Sequence, residues 1–267
     1  RVGKMRVPIG VILIIYESRP NVTADAAGLC FKSSNVTILR GGKEALNSNQ
    51  IIARLMVEAG RNTVDNFPAH AIQIVPTTDR AAIPELLSLT NYVDLCIPRG
   101  GEGLIRAVAE CSRVPVIKHY KGICSVYIDA DADPQKAVAV TVNAKTQRTG
   151  VCNAMETLLI DQAIATTLLP PIAAALREKK VELRVDKIAK EILGDGAVTA
   201  SDADWDTEFL DLICAVRIVD GMGGALAHIH RHGSGHTEAI ITENESTAER
   251  FQTEADASTV FWNVSTR

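Results

Sequence analysis

The sequence predicts an α/β fold built on parallel sheets. Short β-branched runs recur along the chain, they are apolar at successive positions instead of alternating, and about 20 residues with helical spacing separate one from the next. Strands buried on both faces and joined by helical crossovers are the pattern of a doubly wound sheet. The length of 267 residues suits one large α/β domain or two modest ones. The regular pattern ends around 119–122, which divides the chain into 1–120 and 121–267.

In the first part, strands are expected at VILII (11–15), VTIL (36–39), IQIV (72–75), VDLCI (93–97) and VPVI (114–117), with crossover helices over 23–32, 48–59, 81–88 and 101–112. In the second part, Asp133 reads as an N-cap with Pro134 at the first helical position, where its fixed φ fits and no donor is lost. That helix should run to about Gln147. TGVCNAM is then a connecting loop, and METLLI (155–160) a buried strand. Further helices are expected over 162–179 and 247–254, with strands at VELRV, CAVRIV, EAIIT and TVFW.

Composition narrows the function. With 28 Lys+Arg against 32 Asp+Glu the net charge is −4, and no basic patch offers a seat for a phosphate backbone, so the reading is a small-molecule protein with no nucleic-acid partner. The longest apolar run, Val7 to Tyr16, is broken by Pro8 and Gly10 and reaches about half a membrane span, so no membrane partner is expected. The opening RVGKMRVPIG lacks the apolar core of a signal peptide and reads like the middle of a protein. The six cysteines form no CxxC pair, which points to free thiols in a reducing cytoplasm.

Cys152 stands apart from the other cysteines, most of which lie inside apolar patterns. It follows Arg148, Thr149 and Gly150 in a polar turn, where exposure and a nearby cation favour the nucleophilic thiolate; a loop cysteine with no chemical role fits the same spacing. Two glycine pairs follow strands, Gly41 and Gly42 in LRGGKEA and Gly100 and Gly101 in IPRGGEG. Such turns expose N–H groups at a helix start, which suits a pyrophosphate, although ordinary turn glycines fit equally. Arg40 and Lys43 add charge that favours a ribose phosphate over a free 2′-hydroxyl. His228, His230, His232 and His236 raise a metal site, but GALAHIHRHG reads equally as a short helix ended by Gly233, with the histidines spread around it and no acidic or cysteine ligand to complete a set. The expected metal is none.

VDGMGGALAHIHRHGSGHTEAI (219–240), together with IIYESRPNVT, ILRGGKEALNSN, IPRGG, QRTGVCNAMETLL and VFWNVSTR, in that order, resembles the γ-glutamyl phosphate reductase family, also called glutamate-5-semialdehyde dehydrogenase. The same blocks resemble the wider aldehyde dehydrogenase superfamily more weakly. The resemblance covers essentially the entire chain. It implies an aldehyde-dehydrogenase-like fold, with a Rossmann-like cofactor domain over 1–120, a catalytic domain over 121–267 and a β-hairpin extension used in oligomerisation. It implies NADPH-dependent reduction of L-glutamate 5-phosphate to the semialdehyde, releasing phosphate, in proline biosynthesis. Carried over by motif, Cys152 is the nucleophile, Glu208 in TEFLDL holds the nicotinamide ribose, and Lys43 and Arg40 fit an NADP preference. The Cys152 N–H and the Asn21 amide are candidate oxyanion donors. Arg148 and Arg19 are candidate clamps for phosphate or carboxylate, with surface ion pairing or a helix C-terminal charge as their alternative reading. The family has a helical segment before the position of Arg1 and a glycine-rich tail after VFWNVSTR, so the chain reads as cut at both ends. Homo-oligomerisation of the full-length protein and association with glutamate 5-kinase are the partner expectations.

By the same resemblance, members that oxidise aldehydes to acids carry a general-base glutamate about 34 residues before the cysteine. That position is Lys118, in VIKHYKG. A missing base agrees with acyl-phosphate chemistry. The competing readings are a hydrolytic aldehyde dehydrogenase and a degenerate nucleotide-binding or scaffold protein.

Overall fold

The computed structural model describes residues 3–267; Arg1 and Val2, the first residues of the expected first domain, lie outside the described residues. The chain forms two compact units, Arg1–Tyr120 and Lys121–Arg267. Both are α/β with parallel sheets.

The first unit runs β1 (Val11–Tyr16), α1 (Asn21–Lys32), β2 (Val36–Arg40), α2 (Leu46–Thr63), β3 (Ile72–Ile74), α3 (Ala82–Leu87), β4 (Leu95–Arg99) and α4 (Glu102–Cys111). Its sheet has the order β3-β2-β1-β4 with every pair parallel. Alternate residues of β1 feed two cores: Ile12, Ile14 and Tyr16 pack with Ala26, Ala27 and Cys30 of α1, while Leu13 and Ile15 pack with Leu87 and Val108. A strand buried on both faces has no polar positions to spare, which is why VILIIY reads as a continuous apolar run. The strand expected over 93–97 begins two residues late, at Leu95. The strand expected over 114–117 is reduced to one parallel bridge, Cys96 to Val116. Pro115 has no N–H to donate, so it gives only its carbonyl, to the Cys96 N–H at 2.8 Å.

The second unit runs β5 (Cys124–Ile128), α5 (Pro134–Thr146), β6 (Met155–Asp161), α6 (Ala165–Glu178), β7 (Glu182–Val185), α7 (Lys187–Leu193), β8 (Val198–Thr199), β9 (Ile213–Val219), α8 (Gly221–His232), β10 (Thr237–Ile241), α9 (Glu245–Glu254) and β11 (Thr259–Trp262). The sheet order is β11-β10-β5-β6-β9-β7-β8, again with parallel pairs. The central strand β6 is buried at every position. The Asp133 carboxylate accepts from the Lys136 N–H at 2.8 Å and Pro134 opens α5, as the sequence signal requires. The sequence reading passed over α7, although Asp186 caps it through the Ala189 N–H at 2.8 Å. Among the described residues, no helix is long and apolar enough to cross a membrane.

Candidate active site

Cys152 lies in the loop between α5 and β6, at the amino-terminal edge of the second sheet, and is exposed. All six cysteines are unpaired, but Cys30, Cys96, Cys124 and Cys214 are buried, and burial pushes the Cys96 and Cys214 thiols up to about 12, where no thiolate forms at neutral pH. Cys111 is exposed at the end of α4, with its sulfur turned to the Val108 carbonyl at 3.8 Å.

The Cys152 loop is held from three sides. From β5, the Cys124 thiol donates to the Cys152 carbonyl at 3.2 Å. From the segment before β5, Gly122 presses so closely that a Cβ there would lie 2.6 Å from the Cys152 Cα and closer still to its carbonyl oxygen. Only glycine permits that approach. From the last residues, the Thr266 carbonyl accepts from Asn153 Nδ2 at 2.7 Å, and the Arg267 guanidinium bonds Asn153 Oδ1 and Gln147 Oε1, on either side of Cys152. Among the described residues the Cys152 N–H donates to no backbone carbonyl. Arg148 is exposed on the same loop.

Glu208 lies half-buried in the segment between the short 3₁₀ turn Asp202–Asp206 and β9. The turn is pinned by a reciprocal Ser201–Asp204 capping box and by Arg184 to Asp204 at 2.6 Å. The histidine-rich block braces its outer side as α8, ending at Gly233. His232 Nδ1 meets Asp206 Oδ1 at 2.8 Å. His228 is buried edge-on to Trp205, with ring centroids 5.5 Å apart. Burial, with His232 and Arg217 nearby, pushes His228 down to about 3, so the neutral ring accepts from Arg217 Nη1 at 3.0 Å. Among the described residues no three His, Cys, Asp or Glu side chains form a metal-holding group.

A carboxyl that sequence reasoning missed, Glu238 on β10, is fully buried behind Cys124. It accepts from the Ser125 N–H at 2.8 Å, its other oxygen has no partner, and burial pushes it up to about 8.

In the first unit the expected residues gather at the carboxyl ends of the strands, the edge where open α/β sheets bind ligands. Arg19 and Asn21 follow β1, Arg40 ends β2 and Gly41 to Lys43 follow it, and Gly100 and Gly101 follow β4. Their side chains are engaged unequally. Asn21 Nδ2 donates to Asp25 at 3.1 Å. Arg40 is buried and gives its guanidinium to the carbonyls of Thr78 and Asp79, at 2.7 and 3.3 Å, in a TTDR loop the sequence reading did not single out. Lys43 and Arg19 are exposed. The Gly41 backbone lies against Tyr16 and Asn49, where a Cβ would collide with the Asn49 amide. The Gly101 N–H donates to the Glu17 carboxylate at 2.9 Å, so an internal anion takes the donor at the start of α4.

The aldehyde dehydrogenase family profile matches residues 3–193. The chain belongs to the aldehyde dehydrogenase family. Among solved structures of that fold, the γ-glutamyl phosphate reductase of Thermotoga maritima is 46% identical, with a TM-score of 0.90 over 97% of this chain and 62% of that one. The chain therefore spans less than two thirds of that relative's length. The γ-glutamyl phosphate reductase of Saccharomyces cerevisiae is 33% identical over 97% of this chain and 65% of that one, with a TM-score of 0.44. An acetylating aldehyde dehydrogenase from Geobacillus thermoglucosidasius is 21% identical over 97% and 66% of the respective chains, with a TM-score of 0.72, a likeness of fold.

Proposed function

We propose that this aldehyde dehydrogenase family member carries out the NADPH-dependent reduction of L-glutamate 5-phosphate to L-glutamate 5-semialdehyde, with release of phosphate, as a γ-glutamyl phosphate reductase of L-proline biosynthesis. The observation that carries the reading is the 46% identity to the Thermotoga enzyme across 97% of the chain. The exposed Cys152, fixed at its backbone and free at its thiol, agrees with it.

On this reading the Cys152 thiolate attacks the acyl carbon, the C–O bond to phosphate breaks, and a thioester remains on the protein. The Cys152 N–H, with the Asn21 amide, donates to the oxyanion of each tetrahedral stage. Arg148 and Arg19 hold the phosphate or carboxylate of the substrate. Glu208 accepts from a ribose hydroxyl. Gly100 and Gly101 border the cofactor seat, and the RGGK turn fits a ribose phosphate through the backbone at Gly42, beside the packed Gly41, and the exposed ammonium of Lys43. NADPH, when bound, supplies the hydride that reduces the thioester. Release of aldehyde then regenerates the thiolate.

Thioester hydrolysis needs a base to activate water. Lys118 stands at the position assigned to that base, and Glu238, pushed up to about 8, keeps its proton at neutral pH. Phosphate release needs no such base. The same reading places the enzyme in the cytoplasm, as a homo-oligomer that associates with glutamate 5-kinase.

The test runs the reaction backwards. Cys152→Ala should abolish NADPH formation from glutamate 5-semialdehyde plus phosphate, and substantial remaining turnover would remove Cys152 from the mechanism. Turnover of the unmodified protein that does not require phosphate would instead favour a hydrolytic dehydrogenase.

A further inference from the structure

Lys145, in the last turn of α5, and Glu156, the second residue of β6, stand on either side of the Cys152 loop. Both side chains are completely buried, and their charged ends meet at 2.6 Å. The Cys152 loop is therefore closed at its base by an ion pair out of reach of water. Glu156 reaches this place through an irregularity of the sheet. Between β5 and β6 the register runs Cys124↔Met155 and then Ser125↔Thr157, leaving Glu156 as the extra residue of a bulge. Bulges re-aim side chains, and this one lies four residues after the cysteine.

The other oxygen of Glu156 accepts from the Leu210 N–H at 3.4 Å. Leu210 follows Glu208 by two positions and holds φ at 55°, the left-handed region that a leucine enters only under constraint. Phe209, between them, receives the Lys145 ammonium at 6.0 Å and the Arg184 guanidinium at 5.2 Å from its ring centroid. One buried carboxylate thus bonds the helix before the nucleophile and the strained turn beyond Glu208, while itself belonging to the strand after the nucleophile.

We propose that Lys145 and Glu156 are positioning residues that lock the Cys152 loop to the Glu208 segment, so that nucleophile and cofactor-binding carboxylate keep a fixed spacing within the second unit. The assignment rests on the roles proposed above for Cys152 and Glu208. A pair serving stability alone has no need of a third bond to a strained turn, since apolar residues of similar volume replace buried ion pairs without loss of stability.

That replacement supplies the test. The double variant Lys145→Met/Glu156→Leu removes both charges together and is expected to fold with an unchanged melting temperature, while the bond to Leu210 is lost. Two readouts are followed in the whole chain. NADPH affinity should fall at least tenfold. Iodoacetamide alkylation of Cys152, followed on its peptide by mass spectrometry, should become at least threefold faster as the loop loosens. Glu156→Gln keeps one acceptor oxygen where Lys145 and Leu210 use two, so its amide nitrogen opposes one of the two donors and both readouts should shift in the same direction as in the double variant. It also serves as the folded comparison should the double variant fail to fold: a folded Glu156→Gln chain whose NADPH affinity and alkylation rate both match the unmodified chain overturns the lock. A folded double variant with both readouts unchanged overturns the proposal, as does a change confined to melting temperature. If the unmodified chain itself binds no NADPH, the cofactor reading fails, while the alkylation comparison still decides whether the pair holds the loop.

Discussion

Gly122→Ala is the sharpest perturbation of the candidate active site. A methyl group at 122 would lie 2.6 Å from the Cys152 Cα and its carbonyl carbon, about 1 Å short of the ~3.6 Å at which carbon atoms rest. The contact is backbone against backbone, so no rotamer relieves it. The Cys152 backbone must retreat by about that amount, stretching the 3.2 Å bond from the Cys124 thiol. Overpacking of this kind costs about 1–3 kcal/mol of stability. A reacting group misplaced by about 1 Å loses roughly 10²-fold in rate. The assay is phosphate-dependent NADPH formation from glutamate 5-semialdehyde, with thermal unfolding run in parallel. Gly150→Ala is the control, because a Cβ at 150, in the same loop, meets nothing within 4 Å, and its rate should stay within threefold. A Gly122→Ala enzyme equally close to the unmodified rate, with an unchanged melting temperature, would refute the claim that this contact sets the position of Cys152.

Two further outcomes follow from the same geometry. Lys43→Glu should lower the preference for NADPH over NADH at least tenfold, since a charged bond to phosphate contributes about 1.5–3 kcal/mol; an unchanged ratio of kcat/KM values means that Lys43 does not read the ribose phosphate. Glu238→Gln should flatten the pH dependence of stability. The native carboxyl, pushed up to about 8, keeps a proton that the unfolded chain releases near pH 4.3, so stability falls as pH rises between those values by ~1.4 kcal/mol per unit at most. Urea unfolding at pH 5 and pH 8 measures the difference, and an equal slope in the variant assigns that loss to another group.

Part of this molecule is written locally. Most of the β-branched runs, the Asp133–Pro134 helix start and the polar turn around Cys152 depend on neighbours a few residues apart, and these stand where their patterns put them. The family blocks are local too, which is why ordered short motifs identify the fold. Where local and long-range terms compete, the pattern misleads. The 114–117 run has strand composition, but Pro115 at the sheet edge leaves a single bridge. The histidine-rich block has metal-binding composition, yet its helix turns His228 onto Trp205 and His232 onto Asp206.

The amino-acid order by itself determined a doubly wound parallel sheet in the first part, α/β elements in the second and a cysteine in an open loop, because apolar periodicity and turn chemistry act over a few residues; the parallel order of the second sheet is tertiary. Only the tertiary structure decided what holds that cysteine and which charges remain exposed. Gly122 and Cys124 lie some 30 residues from Cys152 in the chain and touch its backbone. Arg40 looked like a free cation until the TTDR loop folded over it. Lys145, Glu156 and Leu210 are linked through a one-residue slip in strand register. Such contacts depend on chain closure over long separations, and a one-residue change of register alters them without changing any local propensity.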